Sequence, residues 1–261
     1  MKKALTSFLI ISLLSTCKTI NSQGDFPNYI DVKNLRIFAR EDVSLSFLNN
    51  VGEAYGEMFS DNSNIDSIMR SNYLTISLEE NVYQRVGVEG MASSNFDAGT
   101  PPIPFDENAT DYIWELNSGG EDQIGEVIEH LLHTVTKVIL YLTYPNDWDY
   151  NDSSSALRIA MQEAIDKGVY DISSYDDLKN DNDIYHKILT QEYAYWLILA
   201  EWDYFEITGK KINGISGNEE FIIGTPSEIT NQLPLGHKLY EDYIEKILSI
   251  PNVQKVVSLF S

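Results

Sequence analysis

A chain of 261 residues with 43% hydrophobic and 11% aromatic content has the composition of a globular protein with a sizeable core. Its 40 acidic residues against 18 basic ones give a formal net charge of −22, which repels phosphate backbones and anionic headgroups and argues against nucleic-acid binding. The single cysteine excludes a disulfide within the chain, so packing alone must stabilise the core.

The first 17 residues have the layout of a secretory signal. Two lysines precede an apolar run at 5–14, which is too short to serve as a bilayer-spanning helix. Cys17 ends a segment that resembles the lipobox of bacterial lipoproteins, although Thr16 stands where glycine, alanine or serine is usual. The sequence therefore predicts an exported protein that is lipid-anchored at Cys17 or simply secreted, with membrane contact only through such an anchor.

The next segments predict an N-terminal β-α-β portion. Residues 18–34 are polar and are expected to form a linker. LRIFA at 35–39 alternates as a strand does, and apolar residues at 43–59 then recur at helical spacing. NYLTISLEENVYQRVG at 72–87 is expected to form one or two further strands.

The rest of the chain is predicted to be mainly helical. Residues 90–121 are rich in glycine, proline, asparagine and aspartate and are expected to form a long loop. Apolar spacing predicts helices at about 122–142, 153–167, 185–206 and 236–249. The pattern indicates an α+β fold with an N-terminal α/β subdomain at 35–120 and a helical subdomain at 121–261.

The first of these helices contains EVIEHLLHTVT at 126–136. With about 100° per residue, its apolar residues occupy one face, while Glu129, His130 and His133 project from the other. One interpretation is a solvated polar face on which two histidines happen to fall. The other is a site for a metal ion.

A metal site on this helix would use side chains one turn apart. Glu129 and His133 lie on the same face and could hold one divalent ion, with His130 between them as a general base. The trio of Glu126, His130 and His133 would also converge on one face. The spacing alone does not choose between these two sets.

Glu192, in TQEYAYWLILAEWDYF, is the candidate for a third ligand. This helix is apolar nearly all round and should be buried, so a carboxylate on it needs a metal, a cation or a hydrogen-bond donor. Glu201 has the same need on another face of the helix. A buried hydrogen bond from a tyrosine or from His133 to Glu192 is the alternative interpretation.

The order of these features resembles secreted zinc metallopeptidases of the gluzincin type, in particular the fungal conidiation-specific protein family and, more remotely, the lethal-factor catalytic domain. The matching pieces are LRIFAREDVSLSFLNNVGEAYGEMFSDNSNIDSIMRSNYLTIS, EVIEHLLHTVT, LRIAMQEAIDKGVYD and QEYAYWLILAEWDYF, within residues 35–206. The resemblance implies a zincin-like fold. It places the family's first histidine ligand at Glu129, its catalytic glutamate at His130, its second histidine ligand at His133 and its downstream glutamate ligand at Glu192.

Two of these four positions depart from the family's His-Glu-x-x-His pattern. Glu129 replaces a histidine ligand, and His130 replaces the glutamate that activates water. A second carboxylate makes the site less positive, so the site acidifies bound water less and stabilises an oxyanion less. Oxygen-rich ligation also shifts the preference from zinc toward harder ions such as manganese or iron(II).

Three functions follow from these observations. The first is a pseudo-enzyme with a degenerate metal site, with or without an ion, whose former cleft binds a peptide or protein partner. The second is an active metal-dependent hydrolase or peptidase in which Glu129, His133 and Glu192 are the ligands and His130 is the base. The third is an unrelated exported helical protein with no metal site.

Overall fold

The structure of the protein is a computed structural model that describes residues 18–19, 25–90, 97–105, 107–211 and 217–261. The predicted signal segment, including Cys17, lies outside the described residues. The described residues form an α+β fold in which a small mixed sheet packs against a larger set of helices. The predicted α+β class is therefore confirmed.

The sheet contains five strands in sequential order. They are β1 (Lys18–Thr19), β2 (Asn28–Val32), β3 (Leu35–Ala39), β4 (Tyr83–Val88) and β5 (Tyr112–Glu115). Neighbours pair antiparallel from β1 to β3 and parallel from β3 to β5. The strand predicted at 35–39 is confirmed as β3, with β5 at the far edge of the described sheet.

The segment predicted as a linker contains two strands, β1 and β2. β2 pairs with β3 in a hairpin whose register places Ile30 opposite Ile37. The two-residue turn consists of Lys33 and Asn34, both with positive φ, as hairpin turns of this length require. The sequence did not predict this turn because neither residue is glycine, which usually marks a two-residue hairpin turn.

Two helices connect β3 to β4. They are α1 (Leu45–Glu57) and α2 (Ser67–Glu79). The prediction of a helix after β3 is confirmed, but the prediction of strands at 72–87 is wrong over its first half. Asp66 caps α2 by accepting hydrogen bonds from two backbone N–H groups, and the buried Arg70, Tyr73 and Ser77 recur at helical spacing.

The segment predicted as a long loop also contains regular structure. β5 forms within it and pairs in parallel with β4, so that Ile113 lies opposite Val86. Only four residues take part, and a strand this short gives little alternation for a sequence pattern to reveal. The consequence is that residues around position 111 are held at the sheet edge rather than on a free loop.

The remaining helices follow β5. They are α3 (Gly120–His133), continued without a break by a π-helical segment (Thr134–Leu140) and α4 (Tyr141–Thr143); α5 (Ala156–Asp166); a 3-10 segment (Ser173–Asn180); α6 (Asn182–Glu201); α7 (Pro226–Gln232); α8 (Pro234–Leu239), continued by a π-helical segment (Tyr240–Ile244) and α9 (Glu245–Ile247); and α10 (Val253–Phe260). The helices predicted at 122–142, 153–167 and 185–206 are confirmed. The helix predicted at 236–249 is present as α8 and its continuations, whereas α7 and α10 were not predicted.

One hydrophobic core extends through the helices and one face of the sheet, from Ile30 to Phe260. α6 lies at its centre, as its almost uniformly apolar sequence predicts. A smaller aromatic cluster of Phe26, Phe38, Tyr83 and Tyr112 covers the opposite face of the sheet. Among the described helices, none combines the length and the apolar character needed to cross a bilayer.

Candidate metal centre

β5 and α3 are joined by two side chains of the helix. Gln123 donates to the Trp114 carbonyl at 2.9 Å and accepts from the Leu116 N–H at 2.7 Å. Glu126 accepts a hydrogen bond from the Trp114 N–H at 2.9 Å. These bonds satisfy backbone groups at the sheet edge, which would otherwise offer a template for pairing with another chain. They also fix the helix face that carries the predicted metal ligands.

His133 is the most deeply buried of the predicted site residues. Only 1% of it is exposed, so the interpretation of this helix face as a solvated stripe is wrong at this position. The His133 Nδ1 lies 3.1 Å from Asp111 Oδ2, and its Nε2 lies 3.5 Å from Glu192 Oε1. Nε2 forms no hydrogen bond with any described residue.

Gln191 binds the same oxygen of Asp111. The Gln191 Nε2 lies 3.0 Å from Asp111 Oδ2 and 3.0 Å from His133 Nδ1. When both nitrogens donate to that oxygen, neutral His133 carries its proton on Nδ1 and presents the lone pair of Nε2. A carboxylate that orients a histidine in this way is a common second layer around metal ions in proteins.

Glu129, His133 and Glu192 come together as the sequence proposed. One ligand atom from each lies within 4.8 Å of the other two. Ligands at 2.0–2.2 Å from a tetrahedral ion lie about 3.4 Å apart, so the 3.5 Å between His133 and Glu192 already matches that spacing. The donor set of one imidazole nitrogen and two carboxylates therefore fits a single divalent ion.

The third residue of this group, Glu129, is also paired with a cation. The Lys210 Nζ lies 3.1 Å from Glu129 Oε2. The segment that carries Lys210 packs closely on α3, because a Cβ added at Gly125 would lie 2.8 Å from the Thr208 carbonyl oxygen. Gly125 thus allows the approach that places an ammonium group beside the candidate site.

Glu192 extends from α6 toward His133. Its side chain is 15% exposed. Burial alone raises the pKa of Glu192, but the charge of His133 and a hydrogen bond from Gln191 outweigh burial and lower the pKa below its ordinary value. The expectation that Glu192 requires a partner is met by His133 in the metal-free protein.

His133 is correspondingly held in its charged form when no metal is bound. Burial alone lowers the pKa of His133, whereas the charge of Glu192 and the hydrogen bond to Asp111 raise it to about 10. Burial likewise raises the pKa of Asp111, but its hydrogen bond with His133 lowers it to well below its ordinary value. A proton then occupies the position on Nε2 that a metal ion would take.

His130 does not group with Glu129 and Glu192, as its predicted role as a base would require. Its Nδ1 lies 2.7 Å from the Glu126 carbonyl oxygen, and one of its nitrogens groups with Asp111 and His133 within 4.8 Å. This second group is less suited to an ion because the hydrogen bond to Asp111 already uses Nδ1 of His133.

The alternative trio of Glu126, His130 and His133 is not among the candidate metal groups of the described residues. Glu126 uses one carboxylate oxygen to accept from the Trp114 N–H, and the same oxygen lies 3.4 Å from His130 Nδ1. Glu201, the other buried carboxylate of α6, pairs with His237 at 2.8 Å. Both residues therefore have structural partners.

Asp111 is the site residue that the sequence interpretation missed. It precedes β5 in a segment rich in aspartate and asparagine, where no motif distinguishes it from its neighbours. The apolar run Tyr112–Trp114 directly after it is the one local signal, since it indicates a short strand that would hold Asp111 at the sheet edge. Recognising the role of Asp111 required knowing that this strand lies beside α3.

No protein-family model, no curated protein and no solved structure matches the chain.

Proposed function

We propose that the protein binds one divalent metal ion through Glu129, His133 and Glu192, and that Asp111 positions His133 for this role. The observation that carries the proposal is the buried Nε2 of His133, which forms no hydrogen bond with a described residue and lies 3.5 Å from Glu192, with Glu129 in the same group. A buried polar atom that makes no hydrogen bond is costly, and a bound ion would satisfy it.

Charge balance supports the same proposal. In the metal-free protein, the carboxylates of Glu129, Glu192 and Asp111 oppose two cations, protonated His133 and Lys210, which leaves one net negative charge. Exchange of the His133 proton for a divalent ion brings the group to neutrality. A neutral group around the buried imidazole is less costly than a charged one, so the exchange is favourable electrostatically.

The ligand chemistry suits zinc as well as harder ions. One imidazole nitrogen favours zinc or iron, while the two carboxylates make manganese and iron(II) competitive. When bound, such an ion would supply Lewis acidity. The residues of the chain would hold the ion, orient the imidazole through Asp111 and limit the access of water, since His133 is buried.

We infer that the protein lacks efficient peptidase activity and is a metallopeptidase-like pseudo-enzyme. Two observations support this inference. His130, which stands at the position of the catalytic glutamate, groups with Asp111 rather than with Glu129 and Glu192. A peptide backbone would pair with the β5 edge as an added strand. On this edge, however, the N–H and the carbonyl of Trp114 are already hydrogen-bonded to Glu126 and Gln123.

The metal content of purified protein tests the first proposal. After incubation with zinc, manganese or iron(II) and desalting, we expect about one equivalent of ion per chain by mass spectrometry. His133→Ala and Glu192→Gln should lose it, and His237→Ala should retain it as a matched histidine control. Retention of metal by both site variants, or none in the wild-type protein, would overturn the proposal. Circular dichroism checks that each variant is folded.

A peptide-library digestion with the metal-loaded protein tests the second inference. We expect cleavage no faster than that of the chelator-treated protein. Cleavage that needs the ion and is lost in His130→Ala would instead establish the active hydrolase, with His130 as its base. Binding of uncleaved peptides by the metal-loaded protein would support the pseudo-enzyme that recognises a peptide or protein partner.

We further propose that the protein is exported and lipid-anchored at Cys17. The proposal rests on the N-terminal sequence alone. Expression in a bacterial host with radiolabelled palmitate should label the wild-type chain and leave Cys17→Ser unlabelled. A cleaved, unlabelled wild-type chain would indicate simple secretion.

A further inference from the structure

A second polar site lies one helical turn beyond His133. The π-helical segment and α4, together with the first half of α6, form one side of a pocket of about 180 Å³. Asn108, Ala109, Tyr150 and the exposed Glu107, the one carboxylate of the lining, form the other side. Two lysines, Lys137 and Lys187, line this pocket from different helices.

These two lysines differ from most of the other lysines in the described part of the chain. Neither Lys137 nor Lys187 has a carboxylate of a described residue within 4.0 Å, and neither forms a hydrogen bond there. By contrast, seven other described lysines each have a carboxylate within that distance; they are Lys167, Lys179, Lys210, Lys211, Lys238, Lys246 and Lys255. In a chain with a net charge of −22, two half-buried lysines without carboxylate partners in one pocket are unexpected.

The partial burial of Lys137 makes the absence of a contacting carboxylate costly. Burial lowers the pKa of Lys137, and the like charge of Lys187 lowers it further, although Asp111 and Glu192 raise it. Moving an ammonium group out of water without an opposite charge is unfavourable. An anion between the two lysines would relieve both the desolvation and the repulsion.

The walls of the pocket suit the apolar part of a ligand. The rings of Tyr141 and Tyr150 lie 5.3 Å apart between centroids, and the side chains of Val138 and Leu142 extend the same surface. The Lys187 ammonium lies 5.7 Å from the centroid of the Tyr150 ring. Two cations beside an aromatic and aliphatic wall are complementary to a small anion with an apolar body.

We propose that this pocket binds a small organic carboxylate, whose carboxylate group lies between Lys137 and Lys187 and whose apolar body contacts Tyr141 and Tyr150. An inorganic anion would satisfy the lysines but leave the apolar wall in water. The volume limits the ligand to roughly the size of a single substituted ring. The proposal does not depend on the metal centre, because the two lysines and the two tyrosines are not ligands of the proposed ion.

Calorimetric titration of chelator-treated protein with benzoate tests this site. Benzamide is the matched neutral probe, and inorganic phosphate is the probe without an apolar body. We expect benzoate to bind with a dissociation constant on the order of 1 mM and to bind about tenfold more tightly than either control. Benzamide or phosphate binding as tightly as benzoate would overturn the proposal.

Substitutions locate the binding. Lys137→Gln and Lys187→Gln should each weaken benzoate binding about tenfold, because each removes a charge-assisted hydrogen bond. Lys137→Arg should retain most of the affinity. Lys238→Gln, an exposed lysine on α8, is the control and should bind as the wild-type protein does. Unchanged binding in both Lys137→Gln and Lys187→Gln would place benzoate elsewhere and refute the assignment.

Discussion

At the proposed metal centre, two roles of His133 would compete for one atom. Without metal, its Nε2 holds a proton close to Glu192, while Nδ1 donates to Asp111. With metal, the same Nε2 would be a ligand and the proton would leave. Metal binding would require little movement of His133 and Glu192, since their 3.5 Å contact in the metal-free protein matches the ligand spacing around an ion. The site is therefore pre-organised by an ion pair.

The first prediction concerns the pH dependence of the metal-free protein. The folded pKa of His133 is raised to about 10, from about 6.5 in the unfolded chain, so its stabilising effect is complete below about pH 6.5 and is lost as the pH rises toward 10. The lowered pKa of Asp111 acts in the opposite sense, with stability present above about pH 4 and lost below it.

Thermal unfolding in chelator between about pH 6.5 and pH 9 measures this effect. We expect the free energy of unfolding to fall by up to about 1.4 kcal/mol per pH unit more in the wild-type protein than in His133→Gln. Parallel pH profiles for the two proteins would contradict a charged His133 in the metal-free state.

The second prediction concerns Asp111 as a positioning residue. Asp111→Asn removes the charge that orients His133 but leaves all three proposed ligands, so the ion should bind with the same stoichiometry and about 10–100-fold more weakly. Competition with a fluorescent chelator measures the affinity. Asp31→Asn is the matched control, because Asp31 pairs with Arg36 on the β2–β3 hairpin. Equal affinities in the two variants would argue against a role for Asp111.

At the scale of elements, α3 is held between the sheet edge and the segment after α6. Gln123 and Glu126 attach it to β5, and Gly125 lets the Thr208 carbonyl approach from the other side. The helix then continues past His133 as a π-helical segment, a form that is frequent at functional sites. Both candidate sites lie along this one continuous helix.

The third prediction tests the close approach at Gly125. Alanine is favoured over glycine in a helix by up to about 1 kcal/mol, but a Cβ here would lie 2.8 Å from a backbone oxygen, which cannot move as a flexible side chain does. Gly125→Ala should therefore destabilise the protein by about 1–3 kcal/mol. It should also weaken metal binding, since Lys210 and Glu129 are displaced together.

Gly56→Ala on α1 is the matched control. Its Cβ would meet Val32 Cγ1 at 3.6 Å, an ordinary contact, so we expect stabilisation by up to about 1 kcal/mol. Urea denaturation of both variants gives the comparison. If Gly125→Ala and Gly56→Ala changed the free energy of unfolding in the same direction, helix propensity rather than the approach of Thr208 would determine the outcome.

At the scale of the whole molecule, the excess of acidic residues sets the background against which both sites act. A net charge of −22 repels itself across the surface and destabilises the compact state. The same field would attract cations to the proposed metal centre and disfavour anions, so anion binding between Lys137 and Lys187 must depend on local charge. The negative charge of the whole chain therefore favours ion binding at the proposed metal centre and opposes carboxylate binding between the two lysines.

The fourth prediction is that salt stabilises the protein at neutral pH. Raising sodium chloride from about 20 mM to about 200 mM shortens the screening length and weakens repulsion among the carboxylates, so the melting temperature should rise. The control is the same titration near the isoelectric point of about 4.3, where the effect should be much smaller. A melting temperature that is independent of salt at neutral pH would contradict this account.

Apolar spacing within the sequence was sufficient to predict the local elements that carry the site. It gave the helix with EHLLH, the buried α6 and the need of Glu192 for a partner, because a helix repeats its faces every few residues regardless of what packs on them. It failed where local signals conflict or are absent. The α2 sequence is rich in residues that also favour strands, and the Lys33–Asn34 turn has no glycine.

Only the tertiary structure decided which polar groups meet. Sequence spacing treated Glu129, His130 and His133 alike as one exposed face, but the packing of α6 buried His133 against Glu192, and the sheet edge placed Asp111 beside its other nitrogen. The pairing of Lys210 with Glu129 and of Glu201 with His237 could not be predicted from the sequence either, since these contacts join distant segments. The sequence determined which helix face is polar. The packing of neighbouring elements determined which of its side chains leave water, and burial is what turns a polar side chain into a candidate ligand.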